Sequence, residues 1–235
     1  MSEREAVPPS TPSPRRRPAR PGRAAPTPRA GRPPLVDRDA IIDAAIAVGF
    51  DRITSVAVAE RLGVRQSTLY RHVATRDELV AAAVDRVVEK ACWPVAGDDW
   101  RAYLLAAGDA LWRLFAAHPG LAEEVMTARV PLTATVRRFD RMAVDLLGMG
   151  FDPHEAVLAV DLVWDLATEM AVSARRRAAG ADPESWVDRL DPRLREPVRH
   201  ALAGPREWFL RKLELAVDGC RLRVEAKATD EPEAG

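Results

Sequence analysis

Apolar residues recur along this chain at the spacing of one helix face, and glycine or proline interrupts each run. Over residues 37–48 the apolar positions include Ile41, Ile42 and Ala45, on one side of a helix that Gly49 ends. Longer runs of the same kind fill residues 98–227. The pattern therefore predicts an all-α fold.

The helices predicted after the first one are short. Thr54 or Ser55 caps the second, and Gly63 directly after it supplies the positive φ that a sharp turn needs. A third helix is predicted over 65–73, and a Thr-x-x-Glu capping box opens a fourth at Arg76.

The third predicted helix has an inward side and a polar side without acids. Val64, Leu69 and Val73 point inward, and the remaining positions from 65 to 72 are basic or uncharged polar residues. A short helix, a glycine turn and a second short helix of this kind form the pattern of a helix-turn-helix, which places its second helix in the major groove of DNA.

Three motifs resemble the DNA-binding domain of the TetR family of repressors over roughly residues 35–90. They are Asp39-Ala40-Ile41-Ile42-Asp43-Ala44-Ala45, Val58-Ala59-Glu60-Arg61-Leu62-Gly63-Val64 and Thr68-Leu69-Tyr70-Arg71-His72. The resemblance implies a three-helix helix-turn-helix domain, assigned to 35–92, and a helical ligand-binding and dimerisation domain, assigned to 93–227. It also implies a homodimeric repressor that a small molecule releases from a palindromic DNA operator.

Side chains at the start of a recognition helix reach base edges, and those further along contact phosphates. The predicted base contacts are Arg65, Gln66, Ser67 and Thr68. The predicted backbone contacts are Tyr70, Arg71, His72, Thr54, Thr75 and Arg76. The alternatives are a core position for Tyr70, an ordinary surface imidazole for His72, and plain helix caps for the two threonines.

The first 34 residues differ in composition from the rest of the chain. They hold ten of the 19 prolines and eight arginines against two glutamates, so the net charge of zero combines a basic head with an acidic remainder. Such a segment buries too little apolar surface to fold, and we predict a disordered arm over 1–34 and a disordered tail over 228–235. The arm is either a solvated tail or a DNA-binding extension, with Arg32 as a minor-groove candidate.

Two C-terminal helices, over about 152–178 and 206–226, carry apolar residues in steps of three and four. As in TetR-like proteins, these seams are predicted to form a four-helix dimer interface. The alternative is that each seam faces the core of its own subunit. The seam residues are Val160, Val163, Ala167, Met170, Leu210, Leu213, Val217 and Cys220.

The resemblance also implies a cavity among the middle helices for an apolar or amphipathic inducer. The candidate lining residues are Trp100, Tyr103, Trp112, Met126, Phe139, Met142, Met149, Trp164 and Met170. Each is alternatively a core residue, because methionine and aromatic side chains fill cores in any case.

Other classes of protein find less support in the sequence. No apolar run is long enough to cross a membrane and no signal peptide follows Met1, so we predict a cytoplasmic protein in which Cys92 and Cys220 are small apolar fillers. No motif for a catalytic site, metal or cofactor is found, and none of these is predicted. The alternatives are a sequence-tolerant nucleoid-type DNA binder that uses the basic arm, and an unrecognised helical enzyme.

Overall fold

The structure, a computed structural model, describes residues 36–180 and 184–230, with side chains described over 36–180 and 186–220. The predicted arm, Arg32 included, and residues 231–235 lie outside the described residues. Within them every regular element is helical, which confirms the all-α prediction. The α-helices are α1 Arg38–Val48, α2 Ser55–Leu62, α3 Gln66–Leu69, α4 Arg76–Lys90, α5 Trp100–Ala117, α6 Leu121–Met126, α7 Thr133–Gly148, α8 Pro153–Ala178, α9 Glu184–Val187, α10 Pro192–Ala203 and α11 Pro205–Asp230, and a 3₁₀ turn, Phe50–Arg52, follows α1.

The first three helices form around a small apolar core. Asp37 begins α1, since its carboxylate accepts a hydrogen bond from the Ala40 amide at 2.7 Å. Ile41, Phe50 and Val58 are almost completely buried between α1, the 3₁₀ turn and α2. This core fixes the angle at which α2 and α3 leave the turn between them.

The third helix is shorter than predicted, because α3 ends at Leu69 and not at Val73. The amide of His72 donates to the Leu69 carbonyl at 2.9 Å, a three-residue spacing that tightens the chain into a turn. Leu69 and Val73 are nevertheless both buried, so the predicted inward side is confirmed.

Helix α4 connects the DNA-binding region to the helices that follow. It packs against α1 on one side and α7 on the other, and the apolar core continues through Val84 and Val87 into the second half of the chain. The carboxylate of Asp85 on α4 also accepts a hydrogen bond from the Ala134 amide at the start of α7, at 2.8 Å. This hydrogen bond connects the start of α7 to α4.

Helices α5, α8 and α11 pack against one another and form the core of the second half, with α7 lying across α8. Leu104 and Leu111 of α5 and Phe209 and Leu213 of α11 are completely buried. Helix α8 begins where predicted, since Asp152 caps it by accepting from the amides of residues 154 and 155 at 2.9 and 3.2 Å.

One predicted helix end is wrong. Helix α11 runs to Asp230, so the backbone of residues 228–230, assigned to a disordered tail, is helical. Helix α6 ends at Met126, and the hydroxyl and the amide of Thr127 both donate to the Glu123 carbonyl, at 2.7 and 3.0 Å. In the described part of the chain, no helix is both long and apolar enough to cross a membrane.

Candidate functional site

The polar side of α3 is open to solvent. Arg65, Gln66 and Ser67 are exposed, and so are Arg71 and His72 in the turn that follows. Thr68 is half-buried, and Tyr70 has 53% of its surface exposed, which excludes the core position that was the alternative for this residue. The structure therefore brings all seven predicted α3 residues to one short segment without an acidic side chain.

Three polar side chains join α2 to α3 at the centre of this surface. The Gln66 amide donates to the Ser55 hydroxyl and, at 3.3 Å, to the Tyr70 hydroxyl. The Ser55 and Tyr70 hydroxyls lie 3.4 Å apart. This network orients Gln66 before any DNA arrives and leaves its amide oxygen available as an acceptor. From the sequence, Ser55 was predicted only as a possible helix cap. Its contact with α3 could not be predicted, because that contact depends on the turn at Gly63.

The two threonines act as helix caps. Thr54 Oγ1 accepts from the Ala57 amide at 3.1 Å, and Thr75 Oγ1 accepts from the Glu78 amide at the same distance. Both residues are exposed at helix N-termini, where a phosphate is favoured by the helix dipole. The alternative role as caps is thus observed, and the role in DNA contact stays a prediction.

Arg76 has a different role in the structure from the predicted DNA contact. Its Nη2 and Nη1 atoms pair with the two carboxylate oxygens of Glu124 on α6 at 2.5 and 3.3 Å. Its Nε donates to the Ile53 carbonyl at 3.1 Å. Without DNA the guanidinium links α6 to the loop before α2, and the contact of Arg76 with DNA stays a prediction.

The predicted dimer seams face the core of their own subunit. Six of their residues have at most 5% of their surface exposed, and Leu210 and Cys220 are partly buried. The buried six, Val160, Val163, Ala167, Met170, Leu213 and Val217, cannot contact a second subunit, so their assignment to an interface is wrong. The steps of three and four along these helices place apolar residues on the faces by which α8 and α11 pack against α5 and against each other.

Most of the predicted ligand contacts are core residues. Trp112 stacks on Phe209 with ring centroids 5.1 Å apart, and Trp164 stacks on Trp93 at 6.1 Å. The Tyr103 hydroxyl donates to Asp145 at 2.7 Å. The other partly or fully buried members are Trp100, Phe139, Met142, Met149 and Met170. Met126 is not a core residue, since 55% of its surface is exposed at the end of α6, and its role in ligand binding stays a prediction.

Trp112 also borders an apolar cleft of about 320 Å³. Helix α5, the α5–α6 turn, α8 and the start of α11 enclose it. Glu123 and Arg175 supply its charged groups. The remaining lining residues are Phe115, Ala116, Pro119, Gly120, Ala122, Ala171, Ala174, Ala178 and Pro205. Sequence reasoning missed them, because alanines and a His-Pro-Gly turn carry no chemical signature of a pocket.

The wall of this cleft is in direct contact with the DNA-binding region. Arg175, at the end of α8, pairs with Glu123 at 2.6 Å and lies 3.6 Å from the carboxylate of Asp51 in the 3₁₀ turn. His118 packs edge-on against Phe50 with ring centroids 6.0 Å apart. The α5–α6 turn and the end of α8 therefore hold the segment that carries α2.

A short α2, a glycine turn and an exposed α3, followed by a separate helical bundle with a cleft, define a helix-turn-helix regulator of transcription. The family model described as bacterial regulatory proteins, tetR family, matches residues 38–83. The helix-turn-helix region of the chain, residues 38–83, is therefore of the TetR type, as its sequence motifs predict.

Curated relatives and solved structures extend the likeness beyond the matched segment. The tetracycline repressor protein class D of Escherichia coli is 24% identical over 204 residues, 81% of this chain and 92% of that protein. An HTH-type transcriptional regulator of Saccharopolyspora erythraea is 28% identical over 131 residues, and the match spans 54% of this chain and 56% of that protein. The structure of ActR from Streptomyces coelicolor has a TM-score of 0.65 at 22% identity, covering 85% of this chain and all of ActR, which shows a shared fold.

Proposed function

We propose that this protein represses transcription by binding as a homodimer to a two-fold symmetric operator, and that a small apolar or amphipathic molecule releases it. The observation that carries the proposal is the exposed, acid-free surface of α3 in a helix-turn-helix. A cytoplasmic location follows from this role, because the chromosome of a bacterium is there.

The proposed surface divides into residues that read bases and residues that position the protein. At the N-terminal end of α3, Arg65 offers parallel donors that suit guanine, and the Gln66 amide oxygen is an acceptor for the amino group of adenine. Tyr70, Arg71 and His72 lie beyond them and are placed to contact phosphates, which fix the register without reading sequence.

Selection of duplexes from a random DNA library by the full-length protein tests this function. We expect an inverted repeat, bound at least about a thousandfold more tightly than random DNA of equal length at physiological salt. Equal affinities with equally steep salt dependence would support the nucleoid-type alternative, in which the basic arm supplies the binding. Deletion of residues 1–30 should lower the affinity for both duplexes and leave their ratio unchanged.

The cleft bordered by Trp112 is the proposed ligand site. ActR, which shares the fold, has been solved in complex with actinorhodin. Here a molecule that enters the cleft contacts Gly120, Glu123 and Arg175 directly. Because Arg175 also approaches Asp51, and because Glu124 one residue further pairs with Arg76, displacement of α6 alters both links to the α2–α3 unit. A coupling of about 1–3 kcal/mol between the two sites is enough for regulation.

Filling the cleft tests the ligand site separately from DNA binding. Ala174→Trp places an indole among the lining residues, whereas Ala106→Trp places the same group on the exposed side of α5. In a screen of apolar and amphipathic compounds for release of the selected duplex, Ala174→Trp should lose the response and Ala106→Trp should keep it. A response retained by Ala174→Trp would place the ligand elsewhere.

The proposed dimer surface is the outer side of α8 and α11. Leu158 and Leu162 on α8 have 43% and 38% of their surfaces exposed, and Leu215 on α11 has 76% exposed. These leucines lie on the same two helices as the predicted seams but point away from their own core. Burial of each leucine against a second subunit is worth about 1–2 kcal/mol.

A further inference from the structure

One turn of α7 holds three buried polar atoms without a hydrogen-bond partner. They are Thr135 Oγ1, Arg138 Nε and Arg138 Nη2, and within the described side chains no other buried nitrogen or oxygen of a side chain lacks a partner. Because an unsatisfied buried donor is costly, such groups are rare in folded proteins and call for a physical reason.

The two arginine atoms belong to the same edge of the guanidinium group. Nε–H and one N–H of Nη2 point in parallel, and this edge binds both oxygens of a carboxylate or phosphate group. Thr135 lies three positions earlier, within one turn of the same helix, and its hydroxyl is a further buried donor without a partner. The three groups together match a planar or tetrahedral oxyanion.

The protein holds Arg138 in place by packing. Its guanidinium carbon lies 4.5 Å from the centroid of the Trp93 ring, a cation–π contact. The Trp93 indole donates to the Val88 carbonyl at 2.9 Å, and its ring stacks on Trp164. Burial lowers the pKa of Arg138, although arginine stays charged at any physiological pH, so the desolvated charge adds to the unmet hydrogen bonds.

The carboxylates near Arg138 are engaged by other donors. Arg137 pairs with Glu89, and Arg141 Nε lies 3.0 Å from an oxygen of Asp145, whose other oxygen accepts from the Tyr103 hydroxyl. Arg138 makes no ion pair with any side chain that the structure describes. Asp145 still attracts the Arg138 charge, but no carboxylate oxygen of the described residues bonds to the Nε–Nη2 edge.

Arg138 lines a surface groove, and Thr135 follows its lining residue Ala134 in the chain. The groove has a volume of about 220 Å³, lies between the end of α4 and α7, and is lined by Val88, Glu89, Trp93, Ala134 and the three arginines at 137, 138 and 141. This space is below the usual size of a drug-like site, so it suits an oxyanion on a small skeleton.

We propose that the α4–α7 groove is a second ligand site, separate from the apolar cleft, which binds a small oxyanion through Arg138 Nε and Nη2 and the Thr135 hydroxyl. The site does not depend on the proposed repressor function, because none of its residues belongs to the DNA surface or to the cleft. The shared chemistry covers an organic carboxylate and a phosphate group, and the experiment distinguishes the two.

Isothermal titration calorimetry of the full chain with sodium benzoate, sodium phosphate and benzamide tests the proposal. We expect benzoate or phosphate to bind with a Kd below about 10 mM and the uncharged benzamide not to bind. Binding by benzoate alone identifies a carboxylate site, and binding by phosphate alone a phosphate site. If neither anion binds below this limit, or if benzamide binds as well as benzoate, the proposal is wrong.

Conservative variants test the named donors. Arg138→Lys keeps the charge but loses the bidentate donor edge. It should weaken binding of the anion about tenfold or more. Arg137→Lys is the matched control in the same groove. It should change the Kd of the anion less than about twofold, because Arg137 is already paired. Equal losses in the two variants would show diffuse surface charge and overturn the proposal. Thr135→Val removes only the hydroxyl, should weaken binding about threefold, and serves as the second variant if Arg138→Lys does not fold.

Discussion

Gly120 lies directly against the backbone of Asp51, so that a β-carbon at residue 120 would stand 2.5 Å from the Asp51 amide nitrogen. Gly120 precedes α6 in the regulatory half, and Asp51 belongs to the 3₁₀ turn before α2. The two halves of the protein therefore meet at a point with no room for a side chain, where a small shift of α6 must move the 3₁₀ turn.

Gly120→Ala should destabilise the protein more than Gly63→Ala. Both glycines have positive φ, 89° and 65°, which costs an alanine roughly 1–2 kcal/mol of backbone strain. A β-carbon at Gly63 meets no atom within 4 Å, whereas at Gly120 it meets the backbone of Asp51. Urea denaturation of both variants gives the difference in the free energy of unfolding. Equal decreases in the free energy of unfolding would mean that Asp51 moves away from residue 120 without a cost in stability.

Tyr70→Ala should weaken binding to the selected duplex by on the order of tenfold, with little change in melting temperature. The reason is that Tyr70 is more than half exposed and stands on the DNA side of α3. Leu69→Ala is the matched control one residue away, because Leu69 is 2% exposed and its truncation should cost about 2–5 kcal/mol of stability. If Tyr70→Ala melts as early as Leu69→Ala, Tyr70 is a structural residue and not a DNA contact.

Helix starts could be predicted from the sequence because each depends on a local bond. Asp37, Thr75 and Asp152 each accept from an amide two or three residues ahead, and that geometry follows from residue type and spacing alone. The inward positions Leu69 and Val73 were also predictable, since burial follows the helical period.

Partners distant in the chain could not be predicted in the same way. A heptad-like spacing indicates that Val163 and Leu213 pack against another helix. The spacing does not show whether that helix belongs to the same chain or to a second subunit. Arg76 follows a capping threonine, in a position suited to phosphate contact. In the structure it forms an ion pair with Glu124, 48 residues later in the chain. The cleft was not predicted because its shape arises from the arrangement of α5, α8 and α11.

His118 should make the stability of the protein fall as the pH decreases below its usual pKa of about 6.5. Burial lowers the pKa of His118 in the folded chain, whereas in the unfolded chain the imidazole titrates near its usual value of about 6.5. As pH falls below that value, the unfolded state takes up the proton more readily, so stability falls until the folded pKa is reached.

His118→Phe keeps an aromatic ring against Phe50 but cannot be protonated. The decrease in melting temperature between pH 7.5 and 5 should therefore be smaller in this variant than in the natural protein. Parallel pH profiles for the two proteins would show that His118 contributes nothing to acid sensitivity.

Replacement of the outer leucines of α8 and α11 should separate the proposed dimer without unfolding its subunits. In the double variant Leu162→Asp, Leu215→Asp, two carboxylates enter the proposed interface, where burial without a partner is strongly unfavourable. Both leucines are exposed in the single chain, so the subunit fold does not depend on them. Light scattering after gel filtration should show a change from two chains to one, while circular dichroism keeps the helical signal.

The matched control is Val144→Asp, Leu147→Asp, because these α7 residues are 50% and 42% exposed but belong to neither α8 nor α11. The control should remain dimeric and should bind the selected duplex normally. The monomeric variant should lose most of its affinity, since each subunit alone holds only one half of a two-fold symmetric site. A double variant on α8 and α11 that stays dimeric, or a control that dissociates equally, would place the subunit contact on another surface.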